Sequence, residues 1–169
     1  FETGYDLPGG NLESIQVYDF DLDGKKDIIL GAYSLDGIEV YDSSGNLKYK
    51  FNKRFEIYGL ESNILLTGKL SSSDINNDGQ KDLLIVYSGE EKNVYLDAIY
   101  FNISTNSIRS VDNWPQIISS ERCTDLHSYG IETSMPSVGD INNDGQDDIA
   151  ILVEKLKNIE NRPENPCDR

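Results

Sequence analysis

Apolar residues along this chain come in short runs of five to seven, each closed by a cluster of acidic residues, asparagine and glycine. Such runs, rich in isoleucine, valine, leucine and tyrosine and bounded by turn-forming residues, predict β-strands rather than helices. They fall in pairs: "SIQVYDF" is followed by "DIILGAY", "NILLTGKLS" by "DLLIVYS", and "ETSMPSVGD" by "DIAILV", with an acidic segment inside each pair. Each pair therefore predicts two antiparallel strands joined by an acidic loop. Further strand-like segments follow the first two pairs. "GIEVYDSSGNLKYKF" has a turn at Ser43 to Asn46, and "NVYLDAIYFNISTNSIRSV" has one near Ser104 to Asn106. The repeating unit is about four strands, and the expected class is all-β.

The acidic segments repeat one spacing three times. Oxygen-bearing side chains stand at positions 1, 3, 5 and 9, with glycine at 6. The first copy has Asp19, Asp21, Asp23, Gly24 and Asp27. The second has Asp74, Asn76, Asp78, Gly79 and Asp82, and the third Asp140, Asn142, Asp144, Gly145 and Asp148. Carboxylates packed so closely repel one another unless a cation sits among them. A hard divalent ion such as Ca²⁺ takes six to eight oxygens, and alternate residues of a tight loop can direct several of them inward. Glycine permits the sharp turn, and the position-7 carbonyls of Lys25, Gln80 and Gln146 offer one more oxygen each. An EF-hand would need glutamate at position 12, where this chain has Leu30, Ile85 and Ile151, so an EF-hand is excluded, and a dockerin on similar grounds.

Carried three times, D-x-[DN]-x-D-G-x-x-D followed by an apolar strand resembles the FG-GAP repeat, the calcium-binding blade of integrin α-subunit β-propellers and of related bacterial and archaeal surface proteins. The first copy ends on Gly31, Ala32 and Tyr33, close to the Gly-Ala-Pro of that family, whereas the others read "IVYS" and "ILVE". The resemblance implies a small β-propeller holding about three Ca²⁺ ions, with Mg²⁺ or Mn²⁺ as alternative hard cations. The clusters start at 19, 74 and 140, so the repeats span approximately 12–52, 62–112 and 130–156 of a single domain, with a tail at 157–169. Propellers have about four to eight blades. The expectation is about four, the last completed by the termini or by a neighbouring subunit.

The charge agrees with a cation-binding role. The 169 residues carry 30 Asp and Glu against 15 Lys and Arg, for a net charge of −15, which argues against nucleic acid and anionic membrane as partners. No apolar run approaches the roughly 18 residues of a membrane span. The start "FETGYDLPGG" reads as a mature, processed N-terminus. Cys123 and Cys167 are expected to form a disulfide rather than a zinc site, which places the chain in an oxidising compartment, outside the cell or on its surface. Asn102, Ile103 and Ser104 form a glycosylation sequon at an expected hairpin turn.

Catalytic signatures are missing. His127, the one histidine, has no serine or cysteine signature beside it, and there is no glycine-rich phosphate loop. Trp114 is a candidate sugar platform, while Tyr41, Tyr49, Tyr87, Tyr95 and Tyr100 sit in strand segments where cross-strand packing explains them. Two functions follow as expectations. One is a non-enzymatic, extracellular, calcium-stiffened structural or adhesive protein that associates with itself, to the point of filaments, or with other extracellular proteins and glycans. The alternative is a carbohydrate- or protein-binding module of a larger secreted protein or enzyme.

Overall fold

The computed structural model describes residues 12–32, 38–51, 65–88, 94–105, 107–119 and 131–155. Cys123, Cys167 and His127 lie outside them, as do the proposed disulfide and the tail at 157–169. All regular structure among the described residues is β.

Four strands form the first sheet: β1 (Leu12–Tyr18), β2 (Asp27–Ala32), β3 (Ile38–Tyr41) and β4 (Leu47–Phe51), paired antiparallel in chain order. The β3–β4 turn is set by Asp42, whose Oδ1 accepts the amides of Ser44 and Asn46, each at 2.8 Å. This side chain replaces backbone hydrogen-bonding partners that a tight reversal leaves open.

The second sheet repeats the order with β5 (Leu65–Ser73), β6 (Asp82–Ser88), β7 (Val94–Asn102) and β8 (Ser107–Ser110), and β9 (Gln116–Ser119) pairs with the other half of β7. The third repeat is an interrupted hairpin. β10 (Ile131–Thr133) pairs with β13 (Val153–Lys155), and β11 (Ser137–Gly139) with β12 (Asp148–Ala150). Across the gap, Ser134 N donates to Leu152 O at 2.8 Å and Leu152 N donates to Ser134 Oγ at 2.9 Å.

Alternation along β6 explains the stacking. Leu83, Ile85 and Tyr87 point to one face and join Tyr18, Phe20, Ile29, Val40, Ile99 and Phe101 in a core between the first and second sheets. Leu84 and Val86 point to the other face and join Val94, Leu96, Ala98 and Val111, against which Ile75, Val138, Ile149 and Ile151 pack. A sheet buried on both faces reads as a continuous apolar run, as "DLLIVYS" does. The stack is pinned by polar contacts between leading strands. Leu70 N donates to Ser14 Oγ (2.9 Å), Gln16 Nε2 to Leu70 O (3.2 Å) and Ser72 Oγ to Gln16 Oε1 (3.1 Å).

Two of the strand tyrosines pair across strands as the pattern implies, while the hydroxyls of Tyr41 and Tyr49 donate to Glu39 and Asp21. Tyr87 and Tyr95 face each other across β6 and β7 with ring centroids 5.2 Å apart. Trp114 packs against the second core. Asn102 ends β7, its side chain accepting the Thr105 amide at 3.2 Å, so the sequon sits at the hairpin turn expected for it.

Candidate metal centre

Three acidic loops connect β1 to β2, β5 to β6 and β11 to β12, at the same end of the leading strand in each repeat. Their backbones are alike. Position 4 has a left-handed conformation in all three, with φ of 60° at Leu22, 57° at Asn77 and 61° at Asn143, and the glycine at position 6 has φ of 85°, 88° and 87°. The two left-handed residues fold each loop back so that its own amides turn inward onto its carboxylates.

Those amides are shared out identically. The position-1 carboxylates of Asp19, Asp74 and Asp140 accept the amides of positions 5 and 6 at 2.8–3.0 Å. Oδ1 of the position-5 aspartates, Asp23, Asp78 and Asp144, accepts the position-7 amides of Lys25, Gln80 and Gln146 at 2.8–2.9 Å. Oδ2 of the position-9 aspartates, Asp27, Asp82 and Asp148, accepts the position-2 amide at 3.0 Å in every loop. In loops two and three the amides of Asn76 and Asn142 add an acceptor to the position-5 N–H, at 3.0 and 2.8 Å. The fold thus turns the position-1, -5 and -9 carboxylates of every loop onto that loop's own amides, while among the described residues only those of Asp19, Asp21 and Asp27 in loop one lie close enough together for three carboxylates to share an ion.

Leucine at position 4 of the first loop is a local misfit. A left-handed residue with a branched side chain costs about 1–2 kcal/mol relative to its right-handed form, a cost that asparagine largely escapes. Leu22 is 37 % exposed and belongs to neither buried core, so the burial lost on replacing it offsets only part of the relieved strain. Leu22→Asn is expected to stabilise the chain by about 1 kcal/mol, read as a higher urea midpoint with unchanged slope.

Loop two contains an uncompensated carboxylate. Asp82 is fully buried and its Oδ1 has no hydrogen-bond partner. Burial pushes its pKa up to about 6, with the carboxylates of Asp78 and Asp74 adding to the rise and the amides of Ile75 and Asn76 opposing it. A buried polar atom without a partner costs about 1–3 kcal/mol, more when charged. The donor set around it is all oxygen from carboxylates, one amide and backbone, the chemistry that suits a hard divalent cation. These residues fit such an ion: Asp74, Asn76, Asp78 and Asp82 would hold it, and it would supply charge neutralisation and a rigid tie between β5 and β6.

The first loop differs in one respect that its sequence spacing does not show. Carboxylate oxygens of Asp19, Asp21 and Asp27 lie within 4.8 Å of one another, close enough to hold a metal ion. The ammonium of Lys48, on β4, also reaches this cluster, 2.7 Å from Asp21 Oδ2, 2.8 Å from Asp27 Oδ1 and 3.1 Å from Asp23 Oδ2. Tyr49 donates its hydroxyl to Asp21 Oδ2 at 2.8 Å. Burial works to lower the Lys48 pKa, but hydrogen bonds to Asp21, Asp27 and Asp23 outweigh it and hold the pKa above that of an ordinary lysine. Among the described residues, no Lys or Arg makes an ion pair with loop two or loop three.

The loops also meet their neighbours. Ser73, just before loop two, donates its hydroxyl to Asp147 Oδ2 in loop three. Tyr18 is buried with its hydroxyl unpaired, and burial together with the charges of Asp82 and Asp27 raises its pKa well above the usual phenol.

No curated protein and no solved structure matches the chain. The model of the FG-GAP-like repeat matches it twice, at residues 19–85 and 74–151, each match running from one acidic loop into the strand after the next. Together these matches cover most of the chain and start on the first aspartates of loops one and two, so the loop geometry and the family agree: the chain belongs to the FG-GAP-like repeat family.

Proposed function

We propose that this chain is a non-enzymatic, calcium-stiffened β-repeat scaffold that works outside the cell, as a structural or adhesive element. The observation that carries the calcium part is the buried Oδ1 of Asp82, left without a partner inside an oxygen-lined loop whose backbone recurs in loops one and three. Calcium there would offset the repulsion among carboxylates that folding brings together.

The sheet order supports a small propeller. First sheet, second sheet and third hairpin pack in sequence, each through one face of the next, and their leading strands β1, β5 and β11 are in contact in that order. We read these as consecutive blades of about four. The far face of the first sheet carries Ile15, Val17 and Leu47, each about half exposed, where a further blade from the termini or from a neighbouring subunit would pack. The alternative, a carbohydrate-binding module, would use Trp114 as a platform. Its packing against the second core favours the scaffold.

Light scattering of the purified chain in millimolar calcium and in chelator tests the assembly part. Calcium-dependent growth of the particle is expected. A particle that stays monomeric in both conditions would remove self-association from this reading.

A further inference from the structure

We infer that Lys48 occupies the cation position of the first loop, so that the chain's own ammonium competes with a divalent ion there and this loop takes the ion far more weakly than loops two and three. The inference rests on the calcium reading of the acidic loops.

Atom-by-atom comparison of the loops carries it. In each loop the position-9 carboxylate spends Oδ2 on the position-2 amide, and the position-5 carboxylate spends Oδ1 on the position-7 amide. The remaining oxygens are those available to a cation. In loop two the remaining position-9 oxygen, Asp82 Oδ1, is buried and has no partner. In loop one the same atom, Asp27 Oδ1, is held by Lys48 Nζ at 2.8 Å, and the remaining position-5 oxygen, Asp23 Oδ2, is held at 3.1 Å. Lys48 therefore sits on the position-9 oxygen that loop two leaves open, and on a position-5 oxygen whose counterpart, Asp78 Oδ2, accepts the Asn76 side-chain amide at 2.9 Å. Its third contact, Asp21 Oδ2 at 2.7 Å, comes from position 3, where this loop alone has aspartate instead of asparagine. The extra carboxylate balances the ammonium, and the Tyr49 hydroxyl fixes its orientation.

The lysine is delivered by an irregularity in the sheet. Val40 pairs with Tyr49 but the next residue, Tyr41, pairs with Leu47, which leaves Lys48 as an extra residue on β4. Such bulges re-aim a side chain out of the regular alternation. The second sheet has none at the matching place: Ile99 pairs with Ser110, and Val111 N donates directly to Ala98 O at 2.8 Å. Ser110 is followed at once by a buried valine, and among the described residues no Lys or Arg makes an ion pair with loop two.

A tethered ammonium competes with a divalent ion because the two need the same oxygens. Native mass spectrometry at the lowest free calcium that saturates the wild type should count about two ions per wild-type chain and about three for Lys48→Met, with the new ion bound about tenfold or more tightly than at loop one of the wild type. Adding Asp23→Asn to Lys48→Met should remove the new ion. Lys48→Gln, which keeps a polar side chain without the charge, guards against a folding defect in the methionine variant and should also gain an ion. In the wild type, the Lys48 side-chain NMR resonances should stay in place while loops two and three fill. Three equally tight ions in the wild type, a Lys48 resonance that moves with them, or two ions in both folded variants would each overturn the inference. No ion in any of the proteins would instead overturn the calcium reading beneath it.

Discussion

Moving the chain from chelator into calcium at about a hundred times its dissociation constant is expected to raise the melting temperature by about 10–20 °C. A ligand that binds only the folded state adds about 2.7 kcal/mol per site at that excess, so two sites add about 5 kcal/mol. For a chain of this size each kcal/mol moves the midpoint by about 2–4 °C. The physical source is visible in loop two, where folding buries Asp82 and leaves one of its oxygens without a partner, while Asp74 and Asp78 stand close enough to raise its pKa. Without metal, that arrangement opposes folding. With metal, the same oxygens become ligands. Differential scanning calorimetry in the two conditions checks this, and an unchanged midpoint would remove calcium from the account of stability.

Phe101→Ala is expected to cost about 3–5 kcal/mol, the range for truncating a buried aromatic residue. Phe101 projects from β7 into the core between the first two sheets, 5.8 Å between ring centroids from Phe20 and 4.9 Å from Tyr49. Those two residues are also tied to the first loop: Phe20 is its position 2, with its amide on Asp27, and Tyr49 donates to Asp21. Removing the ring therefore opens a cavity at the sheet junction and loosens the support of the loop at once. Ile117→Ala provides a control, since that side chain is more than half exposed, and should change stability by no more than about 0.5 kcal/mol. Urea unfolding of both variants reads the difference directly.

The acidic loops were legible because their conformation is written locally. Gly24, Gly79 and Gly145 stand where the backbone is left-handed, and the aspartates at positions 1, 5 and 9 cap amides within seven residues of themselves. The strands after each loop were legible for a similar reason, since an apolar run such as Leu83 to Tyr87 has to bury both faces. Lys48 was not. It meets Asp27 across 21 residues of chain through a one-residue bulge in β4, and nothing near Lys48 in sequence announces the register shift. Position 4 gave half a signal: Asn77 and Asn143 suit a left-handed residue, but Leu22 conceals the same conformation in loop one. The breaks that divide the third hairpin into β10–β13 and β11–β12 depend on Ser134 and Leu152 bonding across the gap, a pairing that alternation alone does not encode.

Isothermal titration calorimetry of the chelator-stripped chain with calcium, beside the variant Asp82→Ala, tests the central claim most directly, because Asp82 is the buried carboxylate of loop two with an unpartnered oxygen and makes no ion pair with Lys48. Saturable binding that loses one site in the variant is the expected result; a folded wild-type chain with no saturable calcium binding up to millimolar concentration would contradict it.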